Sequence, residues 1–389
     1  MADTVNTITE PTRAEHAVGM EDYIRKGERL GRDMGNRGPV QFDAQGKLHP
    51  DILAAYWEKG YFVFEGVIDR AEIDELCAGT NNMIARAPVD RNANVDSKGR
   101  PALGRDFARD PYTFVKPLSD PWGGTDVLGG RHPTQMTQPA PDSDAPKDVL
   151  YLMRGMCQTM DSGLRLYGHP DLLAIAGSIN GDDFVPFNDT IFIKQPGLGG
   201  SVSWHQDGVT HWDSETWDEG VHGFNFQVQL YTCTPGNCLW VVPGTHKNGR
   251  ADIKQMVADN DSDDRLPGAI PLICNPGDVT IVNRQTLHGS FANTSPDLRV
   301  SITFGFHRRA SVIGQKAALS SKADEFYDEK RIFDRSAVIA VAIDARRKYY
   351  PGETPYTYQP FCGLEDDHRS NSKTFKRVIW NYNVNDLAI

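Results

Sequence analysis

In the 389-residue chain, the triplets His205-Gln206-Asp207 and His211-Trp212-Asp213 each place a histidine two residues before an aspartate. In an extended strand successive side chains alternate faces, so a histidine and a carboxylate at this spacing point the same way. The first triplet follows Ser201-Val202-Ser203-Trp204, which reads as a strand, so His205 and Asp207 are expected to face one cavity. A third ligand has to come from a different strand. His288, in Leu287-His288-Gly289-Ser290 after the apolar run Val279–Asn283, fills that place. Two imidazoles and one carboxylate on one side of Fe(II) leave positions for a bidentate 2-oxoacid and for O2. Zinc is more often closed by a fourth protein ligand or by Cys. His211 and Asp213 are not expected to bind the metal.

Eleven residues after His288 comes Arg299, in the run Leu298–Phe306. Leu298, Val300, Ile302, Phe304 and Phe306 form one apolar face, and Arg299, Ser301 and Thr303 the other. A guanidinium fork beside a metal site is a natural partner for a carboxylate, and Ser301 adds a hydroxyl on the same face. Arg299 separates three classes of protein. A cupin-like metal enzyme that does not use 2-oxoglutarate has no need of the clamp. A non-catalytic jelly-roll binding protein has no reason to hold two His and one Asp at this spacing.

These residues need strands to position them, and from 184 onward the pattern has period two. Short runs at Phe184–Gln195, Ser201–Trp204, Phe224–Tyr231, Leu239–Val242, Ile270–Cys274, Val279–Asn283 and Leu298–Phe306 are punctuated by Gly, Pro and Asp, as in a sandwich or barrel. Before them, Pro50 to Lys59 reads as a helix and Tyr61 to Val67 as a strand. A further helix begins near Asp69, where Asp69 and Glu72 have capping-box spacing. Residues 147–163 read as helical, with Val149, Leu152, Met153, Met156 and Met160 on one side. Residues 88–146 are dense in Asp, Gly, Pro and Asn. A loop this long is either functional, as a lid, or poorly ordered. The expected fold is mainly β with flanking helices: a double-stranded β-helix, or cupin-like jelly roll. Residues 1–45 form an N-terminal arm, 46–310 the jelly roll with its helical buttress, and 311–389 an extension packed on the same domain, with a helix around Arg335–Lys348.

Composition narrows the partners. The formal net charge is −11, from 41 basic and 52 acidic residues, with no basic block, which argues against nucleic-acid and anionic-membrane partners. No apolar run is long enough to span a bilayer, and neither terminus carries a recognisable targeting signal. Six cysteines without a Cys-x-x-Cys pair suggest reduced, mostly buried thiols in a cytoplasmic protein. Oligomeric state is not readable.

Together, Trp204-His205-Gln206-Asp207, Val241-Val242-Pro243-Gly244-Thr245-His246, Pro276-Gly277-Asp278, His288-Gly289-Ser290 and Arg299 resemble the phytanoyl-CoA dioxygenase-like branch of the Fe(II)/2-oxoglutarate oxygenases. The likeness covers roughly residues 45–310. It implies iron on His205, Asp207 and His288, with the far carboxylate of 2-oxoglutarate on Arg299. It also implies help for the cosubstrate from Ser290, Ser301, Asn188 and Thr190, and places His246 in a structural turn. The implied reaction consumes 2-oxoglutarate and O2, releases succinate and CO2, and oxidises a small organic molecule. Hydroxylation is the commonest outcome; desaturation and oxidative cyclisation use the same site, while Asp207 argues against halogenation. Two departures bear on the pocket. Gly236-Asn237-Cys238 stands where the family often has Asn-Gly. Asn225, Gln227 and Gln229 line a strand face near which the family often has Trp. The substrate is expected to meet His211, Trp212 and Trp217, in the loop leaving the iron ligands, together with Gln227 and Gln229.

Overall fold

A computed structural model describes residues 10–208, 223–317 and 325–387. The chain opens on helix α1 (Arg13–Met34), closed at its start by a complete capping box between Thr12 and Glu15. A helix of this length was not anticipated within the N-terminal arm. The glycines that lower helix propensity here serve a close approach. A Cβ on Gly27 would meet the Trp240 ring at 2.7 Å and Pro271 at 3.0 Å, while Tyr23 stacks on Trp240 with centroids 4.7 Å apart.

After a short strand β1 (Arg37–Gly38) come α2 (Pro50–Lys59), β2 (Tyr61–Phe64) and α3 (Arg70–Ala85). Asp69 caps α3 by accepting from the Glu72 N–H. The Glu72 carboxylate does not close the box; it is buried against Arg346 at 2.7 and 3.0 Å. The 88–146 segment contains β3 (Tyr112–Val115). Residues 147–163 differ from the helical expectation: they form β4 (Val149–Arg154), a turn at Gly155 with φ 81°, and the short helices α4 (Met156–Thr159) and the start of α5 (Asp161–Tyr167). Val149 to Met153 are all buried. A strand covered on both faces shows no alternation and cannot be told from a buried helix by periodicity.

Helix α6 (Pro170–Asn180) was not anticipated. Of the strands that follow, β5 (Val185–Lys194), β6 (Val202–His205), β7 (Phe224–Gln229), β8 (Leu239–Val242), β9 (Ile270–Leu272), β10 (Val279–Asn283) and β12 (Arg299–His307) match the period-two runs, while β11 (Leu287–Ser290) was not among those runs. Helix α7 (Ile253–Ala258) lies between β8 and β9, and α8 (Glu329–Tyr349) occupies the tail.

Two sheets result. One has the order β1-β2-β10-β7-β12-β5-β4-β3, the other β6-β11-β8-β9. All pairings are antiparallel except β1 with β2. This is the jelly roll expected, buttressed by helices. Val300, Ile302, Phe304 and Phe306 of β12 enter the main core with α5, α6 and α8. The alternate residues of β12 face the other way, which is what makes a site possible.

Candidate active site

His205 ends β6 and His288 lies in β11, and the two are direct partners in the antiparallel register. Their ring centroids are 4.0 Å apart. Asp207 lies two residues beyond β6, its N–H held by the Arg284 carbonyl at 2.7 Å. Among the described residues, His205, Asp207 and His288 form a cluster whose ligand-type atoms all lie within 4.8 Å of one another.

The backbone selects the tautomer of both rings. His205 Nδ1 lies 2.8 Å from the Ser203 carbonyl, and His288 Nδ1 lies 2.8 Å from the Thr286 carbonyl. A carbonyl only accepts, so each Nδ1 carries the hydrogen and each Nε2 lone pair is left for a metal. Burial pushes both imidazoles below their ordinary pKa, keeping them neutral; for His205, the neighbouring His288 and His132 add to this. Burial alone would raise the Asp207 carboxyl. Arg131 and Arg284 overcome it and hold Asp207 well below the usual carboxylate range. Arg131 Nη1 donates to Asp207 Oδ1 at 2.5 Å, and Asn225 Nδ2 to Oδ2 at 2.8 Å. Two neutral nitrogens and one ionised carboxylate are the donor set a divalent transition metal takes.

Arg299 is 2% exposed, opposite Lys194 in the β5–β12 ladder. Its Nε and Nη2 have no hydrogen-bond partner among the described residues, and neither do the hydroxyls of Ser290 and Ser301. Burial pushes the guanidinium pKa down. Buried polar groups are ordinarily satisfied, so a buried cation with unspent donors beside a metal-type cluster fits an anionic cosubstrate.

A cavity of about 380 Å³ joins these groups: His205, Asp207, His288, Ser290 and Arg299 all line it. Of the residues expected around the cosubstrate and substrate, Asn188, Thr190 and Gln227 also line it. Ser301 and Gln229 are buried but are not among its lining residues; the Gln229 amide donates to Gln227 Oε1 at 3.0 Å. His246 is structural as expected, its Nε2 lying 2.8 Å from the Trp57 carbonyl. His211, Trp212 and Trp217 lie outside the described residues.

Several site residues were not anticipated. The 88–146 segment delivers Arg131 to Asp207, and His132 to a ring contact with His205 at 4.2 Å. Burial, helped by Arg131, pushes His132 down to about 3. Asp120 ties the segment down by accepting from the Gly123 and Met136 N–H groups and, at 3.3 Å, from the Ser203 hydroxyl on β6. The tail also reaches the site: Arg331, Asn383, Val384 and Asp386 line the cavity. The sequence signal for Arg131 is no more than an Arg-His pair after two glycines.

The family model for phytanoyl-CoA dioxygenase matches residues 56–301. The chain belongs to the phytanoyl-CoA dioxygenase family. Phytanoyl-CoA dioxygenase 1 of Oryza sativa subsp. japonica is 32% identical over 119 residues, 28% of this chain and 40% of that protein. Dioxygenase lolE1 of Epichloe uncinata is 28% identical over 145 residues, 35% of this chain and 50% of that protein. The matched stretches thus span half or less of these curated relatives. The solved structure of EctD from S. alaskensis with 2-oxoglutarate and 5-hydroxyectoine is 15% identical, with TM-score 0.48, over 74% of this chain and 84% of that one. His205, Asp207, His288 and Arg299 all fall within the family match.

Proposed function

We propose that this chain is an Fe(II)- and 2-oxoglutarate-dependent dioxygenase that hydroxylates a small organic molecule. The observation that carries this reading is Arg299, a buried guanidinium with unspent donors on the same cavity as the His205–Asp207–His288 cluster. His205, Asp207 and His288 would hold the iron, and Arg299 the far carboxylate of 2-oxoglutarate. When bound, iron and 2-oxoglutarate supply oxidation by O2, with 2-oxoglutarate leaving as succinate and CO2.

The chain's own residues prepare that chemistry. The Ser203 and Thr286 carbonyls orient the imidazoles, which spares the site reorganisation when the metal arrives. Arg131, Arg284 and Asn225 keep Asp207 ionised and fixed. Lys194 donates to the Ser290 and Phe291 carbonyls, tying β5 to the end of β11 beside Arg299. The 88–146 segment and the tail wall the cavity from the sides the sheets leave open. We read residues 46–310 as the catalytic jelly roll and 311–389 as an extension of the same body.

The test is succinate formation from 2-oxoglutarate by purified protein, with and without Fe(II). Iron-dependent succinate supports the reading; none, in the presence of bound iron and a broad set of small molecules, overturns it.

A further inference from the structure

Among the described residues, five arginines line the cavity: Arg109, Arg131, Arg154, Arg299 and Arg331. Four of them have assigned work. Arg131 pairs with Asp207, Arg109 with Asp386, and Arg331 with Glu325 at 2.5 Å; Arg299 is the cosubstrate clamp proposed above. Arg154 alone has none. Its Nη1 donates to the Thr113 hydroxyl at 2.8 Å, and among the described residues no carboxylate lies within ion-pair distance.

Position separates Arg154 from the cosubstrate end. Arg154 ends β4 opposite Thr190 of β5, and Thr190 is opposite Thr303 of β12. Arg299 lies four residues earlier on β12. At ~3.3 Å per residue and ~4.8 Å per strand, the two backbones are separated by roughly 13 Å along the sheet and about 10 Å across it. Asp207 sits against Asn225, on the far side of β12 from β4. A five-carbon dicarboxylate held at Arg299 and the metal cluster therefore leaves Arg154 free.

We propose that the substrate carries a carboxylate, and that Arg154 binds it at the end of the cavity away from Arg299. The inference rests on the dioxygenase reading above. Arg154 is half-buried; a guanidinium partly removed from water without a counter-charge in contact gains from an anion placed beside it, and here the open partner site is the cavity itself. Burial, reinforced by the nearby Arg109, pushes the Arg154 pKa down to about 10, against the opposing pull of Asp386, Asp110 and Asp189. Asn383, on the tail, faces the same cavity and has a buried Oδ1 without a partner, so it offers an acceptor for a hydroxyl or amine of the same molecule. The net charge of −11 does not oppose this, because surface charges are screened beyond about 8–10 Å while Arg154 acts at contact. Arg331, Asn383, Val384 and Asp386 lie outside residues 56–301, so this end of the cavity is built partly by segments beyond the family match.

The test uses Ni(II)-loaded full-length protein saturated with 2-oxoglutarate, which binds without turnover. Small aliphatic and aromatic carboxylic acids are titrated calorimetrically, each beside its primary amide. At least one acid should bind tenfold or more tightly than its amide. Arg154→Met should remove that preference, Arg154→Lys should restore part of it, and the amides should bind all three proteins alike. The inference is overturned if no acid is preferred, or if Arg154→Met keeps the preference. It is also overturned if Arg154→Met weakens acid and amide equally, which would mark a purely steric role. Binding of 2-oxoglutarate to the wild-type protein, measured first, reports separately on the dioxygenase reading.

Discussion

Replacing Arg299 with Met keeps most of the side-chain volume and removes the charge, so it isolates the clamp. Losing one partner of a buried, hydrogen-bonded charge pair costs about 2–5 kcal/mol. At ~1.4 kcal/mol per tenfold, 2-oxoglutarate binding should weaken by roughly 30-fold to several thousand-fold. The same quantity can be read without turnover. Ligand at a hundred times its Kd stabilises the native state by about 2.7 kcal/mol, and at once its Kd by about 0.4 kcal/mol. With ~2.1 cal/mol/K of unfolding entropy per residue, saturating 2-oxoglutarate should raise the wild-type Tm by roughly 3 °C. A hundredfold weaker variant at the same concentration should gain less than about 1 °C. Without ligand the sign reverses. The wild type carries a buried guanidinium with two unpaired nitrogens, and replacing such a group with an apolar one is neutral or stabilising. Ligand-free Arg299→Met should therefore melt at or above the wild type. The assay is scanning calorimetry of Ni(II)-loaded protein with and without 2-oxoglutarate. An equal 2-oxoglutarate-induced shift in wild type and variant would refute the clamp.

Three further outcomes are expected. His205→Ala and His288→Ala should each lose the metal, measured by equilibrium dialysis against Fe(II) under anaerobic conditions, while His211→Ala retains it; the opposite pattern would transfer the ligand role to the second triplet. Trp212→Ala and Trp217→Ala should impair oxidation of the substrate while slow substrate-free succinate formation persists, and wild-type efficiency in both would remove that loop from recognition. Asp344 is held well below the usual carboxylate range: burial would raise it, but Arg347, Lys348, the Ser370 N–H and Arg369 prevail. Its stabilisation is thus present at neutral pH and lost as pH falls through and below ~4. Asp344→Asn should cost about 1 kcal/mol at pH 7 and flatten the acid side of the stability profile, and unchanged denaturation curves at both pH values would deny Asp344 this role.

The proposed metal ligands and Arg299 could be picked out from the sequence because strand alternation is a local rule. Arg299 and Thr303 share a face of β12 through spacing alone, while Asp207, beyond the end of β6, joins His205 through the chain that follows the strand; β8 and β10 have the bounds their apolar runs suggested. Where packing overrides local preference, the reading failed. Helix α1 carries Gly19, Gly27 and Gly31, which weaken a helix by ~1 kcal/mol each, but Gly27 admits the Trp240 ring. Strand β4 is buried on both faces and so resembles a helix. Arg131 and Arg154 reach the cavity, and His132 the His205 ring, through tertiary contacts across long stretches of chain, and no periodicity marks such residues. The same holds for Asn383 and Asp386, which close the cavity from the tail.

The central claim is that His205, Asp207 and His288 present one iron to a 2-oxoacid anchored by Arg299. Anaerobic titration of Fe(II) and 2-oxoglutarate into the metal-free protein, followed by visible absorption, tests it most directly. A metal-to-ligand charge-transfer band should grow to one equivalent when both are present, and neither component alone should produce it. His288→Ala should lack the band, and Arg299→Met should need far more 2-oxoglutarate to form it. A wild-type protein that binds Fe(II) yet shows no band at saturating 2-oxoglutarate would contradict the account.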